Sequence, residues 1–92
     1  MPIGFSARGP SYIGAAVVLE PGASIGPYTA IYEKCRIGAG AIVEGSILWP
    51  GCDIGKNAIV REAILGLDVV VDDAITVPAG SVKGKGERLA RT

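Results

Sequence analysis

The chain has 92 residues, of which 49% are hydrophobic and only 5% aromatic, with fourteen glycines, nine basic side chains, nine acidic ones and no histidine. A chain of this length encloses one small core, and balanced charge excludes both a disordered polyelectrolyte and an electrostatic nucleic-acid binder. Without an imidazole, neither a histidine base nor a histidine-ligated metal site can be built from these residues.

No run approaches the ~18 apolar residues of a membrane span, and Met1-Pro2-Ile3-Gly4 does not begin a basic-then-apolar leader. Two cysteines without a CxxC spacing suit a reducing compartment better than a disulfide scaffold. A soluble, cytoplasmic protein with no membrane partner is therefore expected.

Residues 1–10 are read as an N-terminal lead-in or cap. From Ile13 onward a six-residue step organises the aliphatic residues: Leu19, Ile25, Ile31, Ile37 and Val43, then Leu48, Ile54, Val60, Leu65, Val71, Val77 and Val82. Ile, Leu and Val make up only 25 of the 92 residues, so an unbroken series is not a product of composition. The step shortens to five at 43 to 48, 60 to 65 and 77 to 82, always at every third step. That recurrence predicts a coil of three sides with one corner a residue shorter.

Two residues before each aliphatic position lies a mostly small one, including Ala23, Thr29, Cys35, Ala41, Ser46, Cys52, Ala58 and Ala63. In a strand, residues two apart share a face, so each side sends one large and one small side chain inward and the residue between them outward. The expected architecture is all-β: a single parallel β-helix of triangular section, about four coils of 17–18 residues over residues 11–83, followed by a basic tail at 84–92.

Gly14, Gly26, Gly38, Gly55 and Gly66 each follow an aliphatic position at a corner. Gly22, Gly40 and Asn57 stack in a column that wants positive φ. Ala74 continues that column, which predicts a different turn in the last coil. In-register stacking also places Arg36 over Asp53, Glu44 over Arg61 and Lys56 over Asp73, with no like charges in contact. Five prolines between residues 10 and 78, with the glycines, interrupt every long helical alternative.

The hexads Ile13-Gly14, Ile25-Gly26, Ile37-Gly38 and Ile54-Gly55 resemble the hexapeptide-repeat, left-handed parallel β-helix superfamily, and the left hand is an implication of that resemblance. The stretches from Ala41 to Gly51 and from Ala58 to Gly66 are similar to the C-terminal β-helix of sugar-1-phosphate nucleotidyltransferases, such as mannose-1-phosphate guanylyltransferase and glucose-1-phosphate adenylyltransferase. The resemblance implies a non-catalytic module for oligomerisation or regulation, whose nucleotidyl transfer belongs to an N-terminal domain with a glycine-rich loop and acidic metal ligands. This chain has no counterpart of that loop, so catalytic, cofactor and metal sites are all expected to be absent from it.

Two alternatives remain: a small hexapeptide-type acyltransferase, whose usual catalytic histidine is missing here, and a structural or designed solenoid without a ligand. Cys35 and Cys52 fall in the small inward column one coil apart and are read as core packing. Glu62, Asp68, Asp72 and Asp73 are read as a solvated rim. Lys83, Lys85, Arg88 and Arg91 are read as a soluble cap over the last coil.

The outward columns carry the functional signal, since a solitary solenoid should be polar there. They read Tyr12, Ala30, Ile47, Ile64, Ser81 on one side, Val18, Arg36, Asp53, Val70 on another, and Ser24, Ile42, Ile59, Thr76 on the third. Ile42, Ile47, Ile59 and Ile64, with Tyr32 and Trp49 stacked nearby, form the expected self-association surface of a homodimer or homotrimer.

Overall fold

A six-residue repeat with inward residues two apart has room for only a short strand on each side before the chain must turn. The computed structural model describes residues 6–7 and 11–90, the first two by their backbone alone. The first coil carries β1 (Ser6–Ala7), β2 (Ser11–Ile13) and β3 (Val18–Leu19). The second carries β4 (Ser24–Ile25), β5 (Thr29–Ile31) and β6 (Arg36–Ile37), and the third β7 (Ile42–Glu44), β8 (Ile47–Leu48) and β9 (Asp53–Ile54). The fourth holds β10 (Ile59–Arg61), β11 (Ile64–Leu65) and β12 (Val70–Val71), and the fifth β13 (Thr76–Val77), β14 (Val82–Lys83) and β15 (Arg88–Leu89).

Each strand pairs in parallel with the strands one coil before and after, which gives three five-stranded sheets: β1-β4-β7-β10-β13, β2-β5-β8-β11-β14 and β3-β6-β9-β12-β15. These are the first, second and third sides of the triangular β-helix. The inward columns seal the interior. Ile25, Val43, Val60 and Val77 stack from the first side, Ile31, Leu48 and Leu65 from the second, and Ile37, Ile54 and Val71 from the third, all buried. Small residues fill the space beside them. Ala23, Ala41 and Ala58, Cys35, Cys52 and Val69, and Thr29, Ser46 and Ala63 are buried as well. Ser46 Oγ–H donates to the Glu44 carbonyl at 2.9 Å and its oxygen accepts Ala63 N–H at 3.2 Å, so the buried hydroxyl is satisfied.

Among the described residues, each corner between successive sides contains one residue in the left-handed region. Ala16, Lys34, Gly51, Asp68 and Gly86 occupy one corner column, Gly22, Gly40, Asn57 and Ala74 the next, and Tyr28, Gly45, Glu62 and Gly80 the third. Ala74, at φ +61, therefore makes the same turn as its column-mates, contrary to the different turn its residue type predicts. Stacking on the coil below holds Ala, Lys, Tyr and Glu in a torsion they disfavour in isolation. The corner glycines that follow aliphatic residues answer a different need. Gly38 and Gly55 have ordinary φ, but a Cβ on either would lie 2.7 Å or less from the backbone of the next coil.

The last coil corrects the periodic reading. Val82 points outward and is 71% exposed, while Lys83 takes the inward place above Leu65. The fourth-to-fifth coil offset on this side is 18 residues, as Ile64 pairs with Val82, whereas Ile47 pairs with Ile64 at 17. Pro78 stands at this corner, where β13 is one residue shorter than β7 and β10, and its fixed φ accompanies a corner that takes one more residue. Restored phase runs from Lys83 to Leu89, which packs against the core. Strands thus occur within both flanking stretches, β1 against β4 and β15 against β12, and the coils number five rather than about four.

Candidate interaction surface

The three outward columns differ sharply in chemistry. On the third side, Val18, Arg36, Asp53, Val70 and Arg88 stack in register, and charges pair along the column. Arg36 bridges Asp53 at 3.0 Å and Glu20 at 3.1 Å, and Arg88 bridges Asp72 at 2.9 Å. Sequence register finds the first of these pairs. It misses the other two because they are diagonal, 16 residues apart. A groove of about 470 Å³ on this side is lined by Arg36, Asp53, Val70, Asp72, Asp73 and Arg88. Both arginines in it are engaged by carboxylates, and Asp73 accepts the Lys56 backbone N–H at 2.9 Å rather than meeting its ammonium as the stacking suggests.

The second side is free of charge along its outward column, which the structure records as Tyr12, Ala30, Ile47, Ile64 and Val82. Val82 replaces the Ser81 expected there, a consequence of the lost phase at Pro78. Tyr12 is 52% exposed, Ile47 38% and Ile64 40%. Parallel pairing raises this column as a straight apolar stripe, because residues of like type stand one above the other.

Along the corner that follows, Tyr32 and Trp49 sit in successive coils, where Tyr32 N–H donates to the Leu48 carbonyl and Trp49 N–H to that of Leu65. Their rings stack with centroids 5.5 Å apart and 16° between planes, and Tyr12 tilts onto Tyr32 at 5.4 Å. Glycines at 14 and 66 bracket the two rings in this column. Tyr32 is half-buried and Trp49 exposed, so the indole edge extends the apolar stripe toward the third side.

Four of the six residues expected to form the surface, Ile47, Ile64, Tyr32 and Trp49, thus gather along the second side and its following corner. Ile42 and Ile59 pair with one another on the first side. The charged Glu44–Arg61 bridge, at 2.6 Å, stands between them and the stripe. The groove at that corner, about 570 Å³, carries the charges of Glu44, Arg61 and Glu62 beside Pro27, Tyr28 and Ala79.

Cys35 and Cys52 are free and buried. Cys35 S–H donates to the Trp49 carbonyl at 3.3 Å and Cys52 S–H to that of Gly66 at 3.2 Å. Interaction with Cys35 and then burial push the Cys52 thiol well above its ordinary value, and the same contact draws Cys35 below its own; both sulfurs are sealed from solvent, so neither is presented to a substrate. Among the described residues, no group of His, Cys, Asp or Glu is arranged to hold a metal ion. No helix there is long and apolar enough to cross a membrane.

The profile of the GMPPB C-terminal domain matches residues 7–91. Glucose-1-phosphate adenylyltransferase of Corynebacterium diphtheriae is 59% identical over 34 residues, covering 37% of this chain and 8% of that protein. The probable mannose-1-phosphate guanyltransferase of Schizosaccharomyces pombe is 38% identical over 56 residues, covering 61% of this chain and 14% of that protein. The chain therefore spans a small fraction of the length of these relatives. Among solved structures, serine acetyltransferase 1 of Entamoeba histolytica superposes over 96% of this chain and 37% of its own at 16% identity, with a TM-score of 0.49.

Proposed function

Since the chain belongs to the GMPPB C-terminal domain family, we propose that it is the non-catalytic β-helix module of a sugar-1-phosphate nucleotidyltransferase, and that it holds copies together through the second side. The observation that carries this reading is the contrast between sides: charges pair along the third, while the second presents Tyr12, Ile47, Ile64 and Val82 without one charged residue among them. Covering such a stripe removes apolar area from water at roughly 25 cal/mol per Å². Tyr32 and Trp49 supply the rigid aromatic edge that interfaces favour.

Catalysis belongs to another part of the enzyme in this reading. The chain has no imidazole, its two thiols are sealed in the core, and the arginines of the third side are committed to carboxylates. A reducing, cytoplasmic setting is part of the same reading. The test is Ile47→Lys combined with Ile64→Lys, followed by light scattering and circular dichroism. A smaller mass with the β signal retained is expected; an unchanged mass rejects the second side as the contact.

A further inference from the structure

Resting on that self-association, we infer that the partner is a second copy laid antiparallel, with the two solenoid axes reversed about a two-fold axis that passes at Ile47. Two symmetric ways exist to cover one flat side with its own copy. If the solenoids run parallel, each coil meets its own equivalent. Ala30 then faces Ala30, which leaves a gap in the stripe, and Tyr12 faces Tyr12. If they run antiparallel, Ile47 meets Ile47 of the second copy, Ala30 receives Ile64, and Tyr12 covers Val82. Every small residue then opposes a larger one, as close packing requires.

The corner column gives the same answer independently. It reads Gly14, Tyr32, Trp49, Gly66, Gly84 from coil to coil. Reversal about the third coil sets Tyr32 against Gly66 of the second copy and Trp49 against Trp49, so each ring other than the central one has a glycine to lie over. The stripe and the aromatic corner share this centre, since Ile47 and Trp49 flank Leu48 in the middle coil.

Area decides between this contact and stacking through the open ends. Five strands ~4.8 Å apart, on sides about 20 Å wide, offer on the order of 500 Å² per copy, whereas a triangular end offers only about 170 Å². Two covered sides reach the ~1,000 Å² total at which a specific interface becomes plausible, and only if all five coils overlap. The association is accordingly weak and concentration-dependent, and a two-fold at the third coil is what lets all five coils overlap when the axes are reversed.

The test uses chains with one added cysteine each, one of each pair tagged for mass, and a short bismaleimide, since facing sheets lie ~10 Å apart, beyond the reach of about 4.4–6.8 Å between Cα atoms joined by a disulfide. Cys35 and Cys52 are each 1% exposed, and the parent chain sets the background. A mixture of Ala30→Cys and Ile64→Cys chains should give the mixed product at about fivefold or more over either homotypic one, and Tyr12→Cys with Val82→Cys should do the same. Homotypic products that equal or exceed the mixed one overturn the reversed arrangement. If light scattering shows a dimer in that case, the self-association reading stands without it. A monomer at every concentration overturns both.

Discussion

Gly45 and Gly55 lie in the same coil and answer to different physics, so the pair separates torsion from crowding. Gly45 has φ +59, and a Cβ there would meet Glu62 Cγ at 3.5 Å, an ordinary contact. Its replacement by alanine costs the left-handed penalty of about 1–2 kcal/mol, offset by about 0.4–1 kcal/mol from the stiffer unfolded chain. A net loss near ~1 kcal/mol lowers Tm by roughly 4–8 °C in a domain of this size. Gly55 has no torsional need, but a Cβ there would lie 2.6 Å from Asp73 N and 2.7 Å from Asp72 C. Those are backbone atoms, so β9 and β12 must separate and strain the Gly55 N–H to Val71 carbonyl bond of 2.7 Å. Overpacking of this kind costs about 1–3 kcal/mol or more. Ala74→Gly should carry the opposite sign and stabilise by roughly 0.5 kcal/mol, since it relieves φ +61. Urea unfolding of the three variants at low protein concentration measures the order. If Gly45→Ala is as damaging as Gly55→Ala, coil-to-coil crowding is not what fixes Gly55; if Ala74→Gly destabilises, the left-handed torsion is not what costs this corner stability.

Two further outcomes follow from the same packing. Folding raises Cys52 above its ordinary value of 9.0 and, through the same contact, lowers Cys35, so the Cys52 contribution is lost as pH rises past about 9 while that of Cys35 opposes the loss; Cys35→Ala, which removes the opposing group, should show a urea midpoint that falls more steeply between pH 8 and about 10 than that of Cys35→Ala with Cys52→Ala. If the slope is the same in both chains, the thiol is not responsible. Among the described residues no strand pairs beyond β14, where Lys83 and Lys85 place charge, so Lys83→Val with Lys85→Thr should produce species larger than the parent assembly in light scattering, and an unchanged mass would show that this edge needs no such protection.

Much of the fold is legible in the sequence because in-register stacking makes each inward position a column, and a column repeats often enough to be seen. Ile25, Val43 and Val60, or Cys35 and Cys52, declare their places by recurrence alone. What the pattern hides is local. Pro78 shifts the phase by one residue, which carries Val82 from the supposed core to the surface and conceals Leu89 as an inward residue. A proline within one residue of an aliphatic position was the available signal. Two of the three left-handed corner columns were also hidden, because Ala16, Tyr28, Lys34 and Glu62 hold that torsion without being residues that favour it. Their conformation is imposed by the coil beneath.

The interaction surface was legible only in part for a related reason. Counting places Ile42 and Ile59 as near to the short corner as Ile47 and Ile64, and the two pairs look equivalent. In three dimensions the corner turns the chain onto a new plane and sets Glu44 and Arg61, bridged at 2.6 Å, along the ridge between them. A flat partner can cover one side of a triangular prism at a time, so the ridge decides which isoleucines act together. Charge on the third side and the ion pair on the ridge leave the second side as the one plane where five coils present a continuous apolar surface, and its sequence of large and small residues is what gives a second copy a preferred direction.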